Sequence, residues 1–136
     1  MKGKVMLGKV RKDERGAATV EMALTLPILL MFIYGIFQIG VILAANAGMQ
    51  HALGEGARFA TLTPTPADAT IVTRMSSKVF GIHVGTFSTP TVTTPATTVC
   101  INCRLLSVGY SVTPNFLFFN GPVINLAREK RVYLSV

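Results

Sequence analysis

The chain has 136 residues, half of them hydrophobic, with 13 basic and 6 acidic side chains and a formal net charge of +7. That length leaves room for one small domain beside a membrane anchor. The charge argues against a nucleic-acid partner, because Lys2, Lys4, Lys9, Arg11, Lys12 and Arg15 crowd into residues 1–16 while the remaining cations are scattered rather than striped.

Residues 1–16 are basic and glycine-containing, with no apolar periodicity, and read as a cytoplasmic leader or a disordered tail. Met22 to Gln50 follows, 29 residues without one formal charge. A helix rises about 1.5 Å per residue, so roughly 20 residues cross a hydrocarbon core of about 30 Å. A basic segment directly before such a helix is the positive-inside signature, and anionic headgroups add attraction. It places the N-terminus in the cytoplasm and everything after about residue 50 outside it. Ala45-Asn46-Ala47 fits a signal-peptidase pattern. The apolar stretch before it, however, far exceeds the roughly 7–15 residues of a signal-peptide core.

Pro27 removes one helical hydrogen bond, so a kink or soft point is expected there. Small residues recur every fourth position: Gly40, Ala44, Gly48, Ala52, Gly56 and Ala60. Such spacing lets membrane helices approach closely, but an alanine- and glycine-rich helix also produces it by composition alone. Both readings stand at this point. The segment from Asn46 to Thr61 continues the helix beyond the bilayer, with Leu53, Ala57 and Ala60 lining one side and Glu55 and Arg58 placed to pair. Pro64 and Pro66 stop it.

Ala67 to Phe80 reads as a short second helix, with Ile71, Val72, Met75 and Val79 at helical spacing and Gly81 as its C-cap. Beyond His83 the chain turns to threonine, valine and proline. Pro90 and Pro95 confine a short strand near Thr91–Cys100 to a sheet edge. Arg104–Val112 and Arg128–Val136 are expected to pair antiparallel, with the apolar knot Phe116-Leu117-Phe118-Phe119 folded over the sheet. The fold class is therefore α+β: a leader over 1–16, a transmembrane and extended N-terminal helix over 17–61, and a small periplasmic or extracellular α+β domain over 62–136, with a short second helix and a small antiparallel β-sheet at the C-terminus.

Cys100 and Cys103 form the only metal-type spacing. One such pair falls short of the four ligands of a zinc site, and His51 and His83 are distant. A local disulfide leads, free thiols come second, and a thioredoxin-like redox role lacks its βαβ setting. His51 reads as an interfacial polar residue. No nucleophile–base pair, phosphate loop or carboxylate pair is present, so no enzyme, cofactor, metal or small-molecule substrate is expected. Glu21 is the exception, because a carboxylate at the edge of hydrocarbon calls for a partner. A cut after Gly16 would make Ala17 a free amine, one helical turn from Glu21 or facing it from an adjacent subunit. In a poorly solvated setting that attraction could set the register between helices.

Arg15-Gly16-Ala17-Ala18-Thr19-Val20-Glu21-Met22, Pro27, the apolar run and Ala52-Leu-Gly-Glu-Gly-Ala-Arg-Phe-Ala60 resemble the TadE-like family, pseudopilins or minor pilins of the Tad (Flp) tight-adherence pilus systems of bacteria. The resemblance implies cleavage of the Gly16–Ala17 bond by a prepilin peptidase and subunit registration through Glu21, while helix packing at Pro27, Gly40, Ala44 and Gly48 is the reading of the spacing alone. It also implies an inner-membrane location, membrane lipid, the peptidase, other pilin or pseudopilin subunits and Tad assembly proteins as partners, and a part in pilus biogenesis and surface adhesion. Met22 stands where major pilins of this system usually carry tyrosine, and the exterior domain also points to a minor component. The alternative is an uncleaved single-pass protein whose periplasmic domain binds another envelope component.

Overall fold

The structure, a computed structural model, describes residues 14–81, 84–96, 98 and 100–134. The readings of the leader before residue 14, of His83, and of a strand over Ser135 and Val136 lie outside the described residues. The elements run α1 (Glu14–Ala60), α2 (Asp68–Ser76), β1 (Thr86–Phe87), β2 (Thr91–Thr93), β3 (Cys103–Val112) and β4 (Ile124–Tyr133). This is the expected α+β arrangement of a long apolar helix, a short helix and a small antiparallel sheet.

The 47-residue α1 runs without interruption through Pro27. It starts three residues ahead of the expected boundary, so the Gly16–Ala17 bond lies in its first turn. At the other end the Thr61 hydroxyl donates to the Arg58 carbonyl and the Leu62 amide to Phe59. These bonds close the last turn before Pro64 forbids continuation.

The second helix is shorter than the reading to Phe80. It ends at Ser76, with Ser77 as its C-cap rather than Gly81. A local hydroxyl accompanies the early stop: Ser77 donates to the Arg74 carbonyl, while the Lys78 amide goes to Met75 rather than to Arg74 as a further helical turn would require. The freed segment then crosses α1. The expected Glu55–Arg58 pair does not form. Glu55 instead meets Arg74 of α2 at 3.4 Å, because α2 lies alongside that face of α1.

The sheet is built on β3. Its ten residues pair with β4 from Cys103↔Tyr133 to Val112↔Ile124. The last strand thus begins four residues before the expected Arg128. The apolar Ile124, Leu126 and Ala127 extend the ladder toward the hairpin loop. On the other side of β3 lie β1 and β2, pairing Phe87↔Tyr110 and Thr91↔Ser107. Three residues, 88–90, therefore oppose two, 108 and 109, which is a β-bulge. Ser88 fills the gap. Its amide donates to the Gly109 carbonyl at 2.9 Å and its hydroxyl accepts the Gly109 amide at 2.8 Å. The reading of one strand near Thr91–Cys100 is corrected to a strand of three residues, and β1 was not anticipated. Proline and bulge on one edge, and Arg128, Glu129, Lys130 and Arg131 on the other, both discourage further strand pairing.

Burial alternates along β3, with Leu106, Val108, Tyr110 and Val112 facing inward. They pack against Ala45, Met49, Leu53, Ala57 and Ala60 of α1 and Ile71 and Met75 of α2, with Val132 completing the cluster. The three-to-four-residue spacing on α1 and the two-residue spacing on β3 are the periods of a helix and a strand that each bury one face. Only the rear of α1 has a core. From Gly16 to Leu30 every residue is exposed, including Val20, Met22, Leu24, Ile28 and Leu29.

Candidate functional site

The exposed front of α1 is one of two features that set this chain apart from an ordinary small α+β domain. Residues 16–60 make a helix long and apolar enough to cross a membrane, with a mean hydropathy of 2.4 in its most apolar window. Water would penalise so large an uncovered apolar surface at about 25 cal/mol per Å², so this half of the helix requires an apolar surround.

Gly16, Ala17 and Glu21 all sit on this front. Gly16 has open space where a side chain would project. Ala17 and Glu21, four residues apart, share one face of the helix about 6 Å apart along its axis. Among the described residues no cation pairs with Glu21. Its carboxylate stands on the exposed front of the helix. A negative charge in the first turns of a helix also complements the backbone dipole.

The four-residue stripe divides. Gly40 faces open space and Ala44 is half-buried. At Gly48 a Cβ would overlap the Phe80 carbonyl, and at Gly56 it would overlap the Met75 side chain. Ala52 and Ala60 are fully buried. The reading of Gly48 as a contact between subunits is corrected: the space is taken by the chain's own segment after α2, which needs a glycine to cross this closely. Gly40 and Ala44 remain at the surface.

The second feature is the hairpin loop between β3 and β4. The expectation that Phe116–Phe119 folds over the sheet is also corrected. The loop continues past the end of the sheet and lies beside α1. Phe116 approaches Gly35, where a Cβ would lie 3.6 Å from the ring, and stacks on Phe119 at 5.2 Å between centroids. Leu117, Phe118 and Phe119 are 55%, 64% and 55% exposed. An apolar groove of about 410 Å³ runs between loop and helix, lined by residues including Ile28, Phe32, Ile39, Pro114 and Phe116.

Two polar residues within the apolar run fix the hairpin to α1. The buried Gln38 donates from Nε2 to the Asn115 carbonyl at 3.2 Å, and Asn46 Oδ1 accepts from Arg128 Nε at 2.8 Å. Neither role was recognised in the sequence, although a lone amide inside a charge-free helix is the available signal. Gln38 Oε1 is buried without a partner among the described residues.

Cys100 and Cys103 are joined in a disulfide, with Cα atoms 6.0 Å apart. They belong to the turn entering β3, near Arg104, which pairs with Asp68 at 3.1 Å and donates to the Pro66 carbonyl beyond the end of α1. Helical rise puts that end of α1 on the order of 60 Å from Glu21, so the cysteines and the helix front are separate. His51 is exposed and rests against the Phe80 ring. Among the described residues no cluster of histidine, cysteine and carboxylate side chains could hold a metal.

No curated protein and no solved structure matches the chain. A family model described as TadE-like protein matches residues 16–58, from the glycine before the candidate cut site almost to the end of α1. The span includes Glu21, Pro27 and the whole apolar run. Residues 16–58 are thus similar to the TadE-like family, and they lie on a helix long and apolar enough to cross a membrane.

Proposed function

We propose that the protein is a pseudopilin, or minor pilin, of a Tad (Flp) pilus system. It is cleaved between Gly16 and Ala17 by a prepilin peptidase and held in the bacterial inner membrane with its N-terminus cytoplasmic and its domain over 62–136 periplasmic. From there it assembles with other pilin or pseudopilin subunits and Tad assembly proteins in pilus biogenesis and surface adhesion. The observation that carries the reading is the placement of Gly16, Ala17 and Glu21 on an exposed helix front inside the TadE-like segment. After the cut, the Ala17 amine and the Glu21 carboxylate are opposite charges at one membrane boundary. A pair formed between neighbouring helices would fix their axial offset, since a slip by one turn separates the charges by about 5.4 Å more. The chain then works as an assembly subunit rather than an enzyme, with no cofactor, metal or small-molecule substrate.

Glu21→Ala tests this directly. The variant should be processed and membrane-inserted like the parent yet fail to support pili. Normal piliation would remove Glu21 from the mechanism. A second reading, an uncleaved anchor whose domain binds another envelope component, draws on the unbroken helix across Gly16–Ala17. It requires indifference to Gly16→Ala, whereas the pseudopilin reading requires loss of processing.

A further inference from the structure

We propose that the β3–β4 loop, residues 114–123, is a second membrane-contacting element, seating Leu117, Phe118, Phe119 and Val123 in the boundary between acyl chains and headgroups of the leaflet that α1 leaves. The inference rests on the membrane-spanning reading of α1.

Depth is the first argument. From Ala17 to Gln38 the helix advances about 32 Å, close to the roughly 30 Å of a hydrocarbon core. Gln38 is where the hairpin docks, through Asn115, and Phe116 lies three residues nearer the bilayer, at Gly35. The loop therefore meets the membrane plane wherever the exposed apolar front of α1 is covered by lipid. It is continuous with that lipid-facing surface rather than a separate patch.

Charge follows the same division. Residues 105–127 of the hairpin carry no formal charge, matching the charge-free 22–54 of α1. The first charged residue on β4, Arg128, is bound to Asn46. That position lies about 12 Å along the helix from Gln38, on the side away from the span. A cation there is placed to meet headgroups and water, not acyl chains.

Unpaired amides and carbonyls are costly in a poorly hydrated layer, and four of the eight amides in the loop are held within it, which suits a seat at the headgroup boundary, where water can meet the rest. Phe116 N–H donates to the Phe119 carbonyl, Leu117 N–H to Asn115 Oδ1, Phe118 N–H to the Phe116 carbonyl, and Gly121 N–H to the Pro114 carbonyl. Pro114 and Pro122 have no amide to satisfy. The turn at Leu117 has φ of 62°. In that region glycine or asparagine is the low-strain choice, and an exposed leucine there places apolar surface where only a nonaqueous neighbour would reward it.

The sequence contains no tryptophan, so Phe118→Trp and, separately, Leu117→Trp give single-site reporters in the full-length protein. Each is reconstituted in phosphatidylcholine–phosphatidylglycerol vesicles with and without bromine on the acyl chains, beside Ile33→Trp in α1 and Tyr133→Trp at the far end of β4. Near-ultraviolet circular dichroism checks that each variant keeps the parent fold. Both loop reporters should show blue-shifted emission and quenching by brominated lipid severalfold stronger than Tyr133→Trp, which acrylamide alone should quench. Loop reporters open to acrylamide and untouched by brominated lipid would overturn the proposal, leaving α1 intact as a span if Ile33→Trp is quenched by lipid. Loop reporters shielded from both quenchers would place a protein surface, such as the helix of a second copy, in the groove instead of lipid. Failure of Ile33→Trp to respond to brominated lipid would refute the spanning reading itself.

Discussion

Gly48→Ala, compared with Gly54→Ala on the same helix, separates a steric requirement from an accident of composition. Both substitutions replace glycine in α1, and in each the backbone gains about 1 kcal/mol of helix propensity. At Gly54 nothing lies within 4 Å of the new methyl, whereas at Gly48 the methyl would overlap the Phe80 carbonyl. That obstacle is backbone, held between the end of α2 and Gly81, which itself packs close to Ala45 of α1. Relief therefore requires the whole crossing segment to lift, an overpacking cost of about 1–3 kcal/mol. The propensity gain cancels in the comparison, so Gly48→Ala should be less stable than Gly54→Ala by about 2 kcal/mol, or on the order of 10 °C in Tm for a unit of this size. Thermal unfolding followed by circular dichroism in detergent micelles measures the gap. Equal midpoints would refute the claim that Gly48 is occupied by its own chain and would return it to the pool of surfaces between subunits.

Other outcomes follow from single contacts. Ser88→Ala should cost about 1 kcal/mol and raise amide exchange at Gly109 above that of its neighbours in β3, because the bulge loses both bonds of the hydroxyl. Replacing Cys100 and Cys103 together with serine should lower stability by no more than about 2 kcal/mol, the chain-entropy value for so short a loop, and leave piliation unchanged. Loss of piliation in a stably folded double variant would reopen a redox role.

Much of the architecture was legible because it rests on local rules. The charge-free run from Met22 sets the long helix, the 71/75 spacing sets α2, and the alternation through β3 sets the inward face of the sheet. The misses came where tertiary partners override local preference. Arg58 was well placed for Glu55, but α2 brought Arg74 there instead. Gly48 looked like a helix–helix contact because the sequence cannot say which backbone will cross a small residue. The apolar knot at 116–119 was expected to seek the sheet, yet β3 and β4 extend far enough to carry it beyond the core and beside Gly35. Of the candidate site, Gly16, Ala17 and Glu21 were singled out by their order ahead of the apolar run, and the structure puts all three on the exposed front of α1. The docking of Gln38 and Asn46 was not, since it depends on the register of a hairpin some 80 residues away.

The mass of the mature protein purified from cells with an active prepilin peptidase tests the central claim most directly. An N-terminus at Ala17 is the expected result, with the intact Met1 species accumulating when the peptidase is inactivated. A full-length Met1 chain in peptidase-active cells would contradict it.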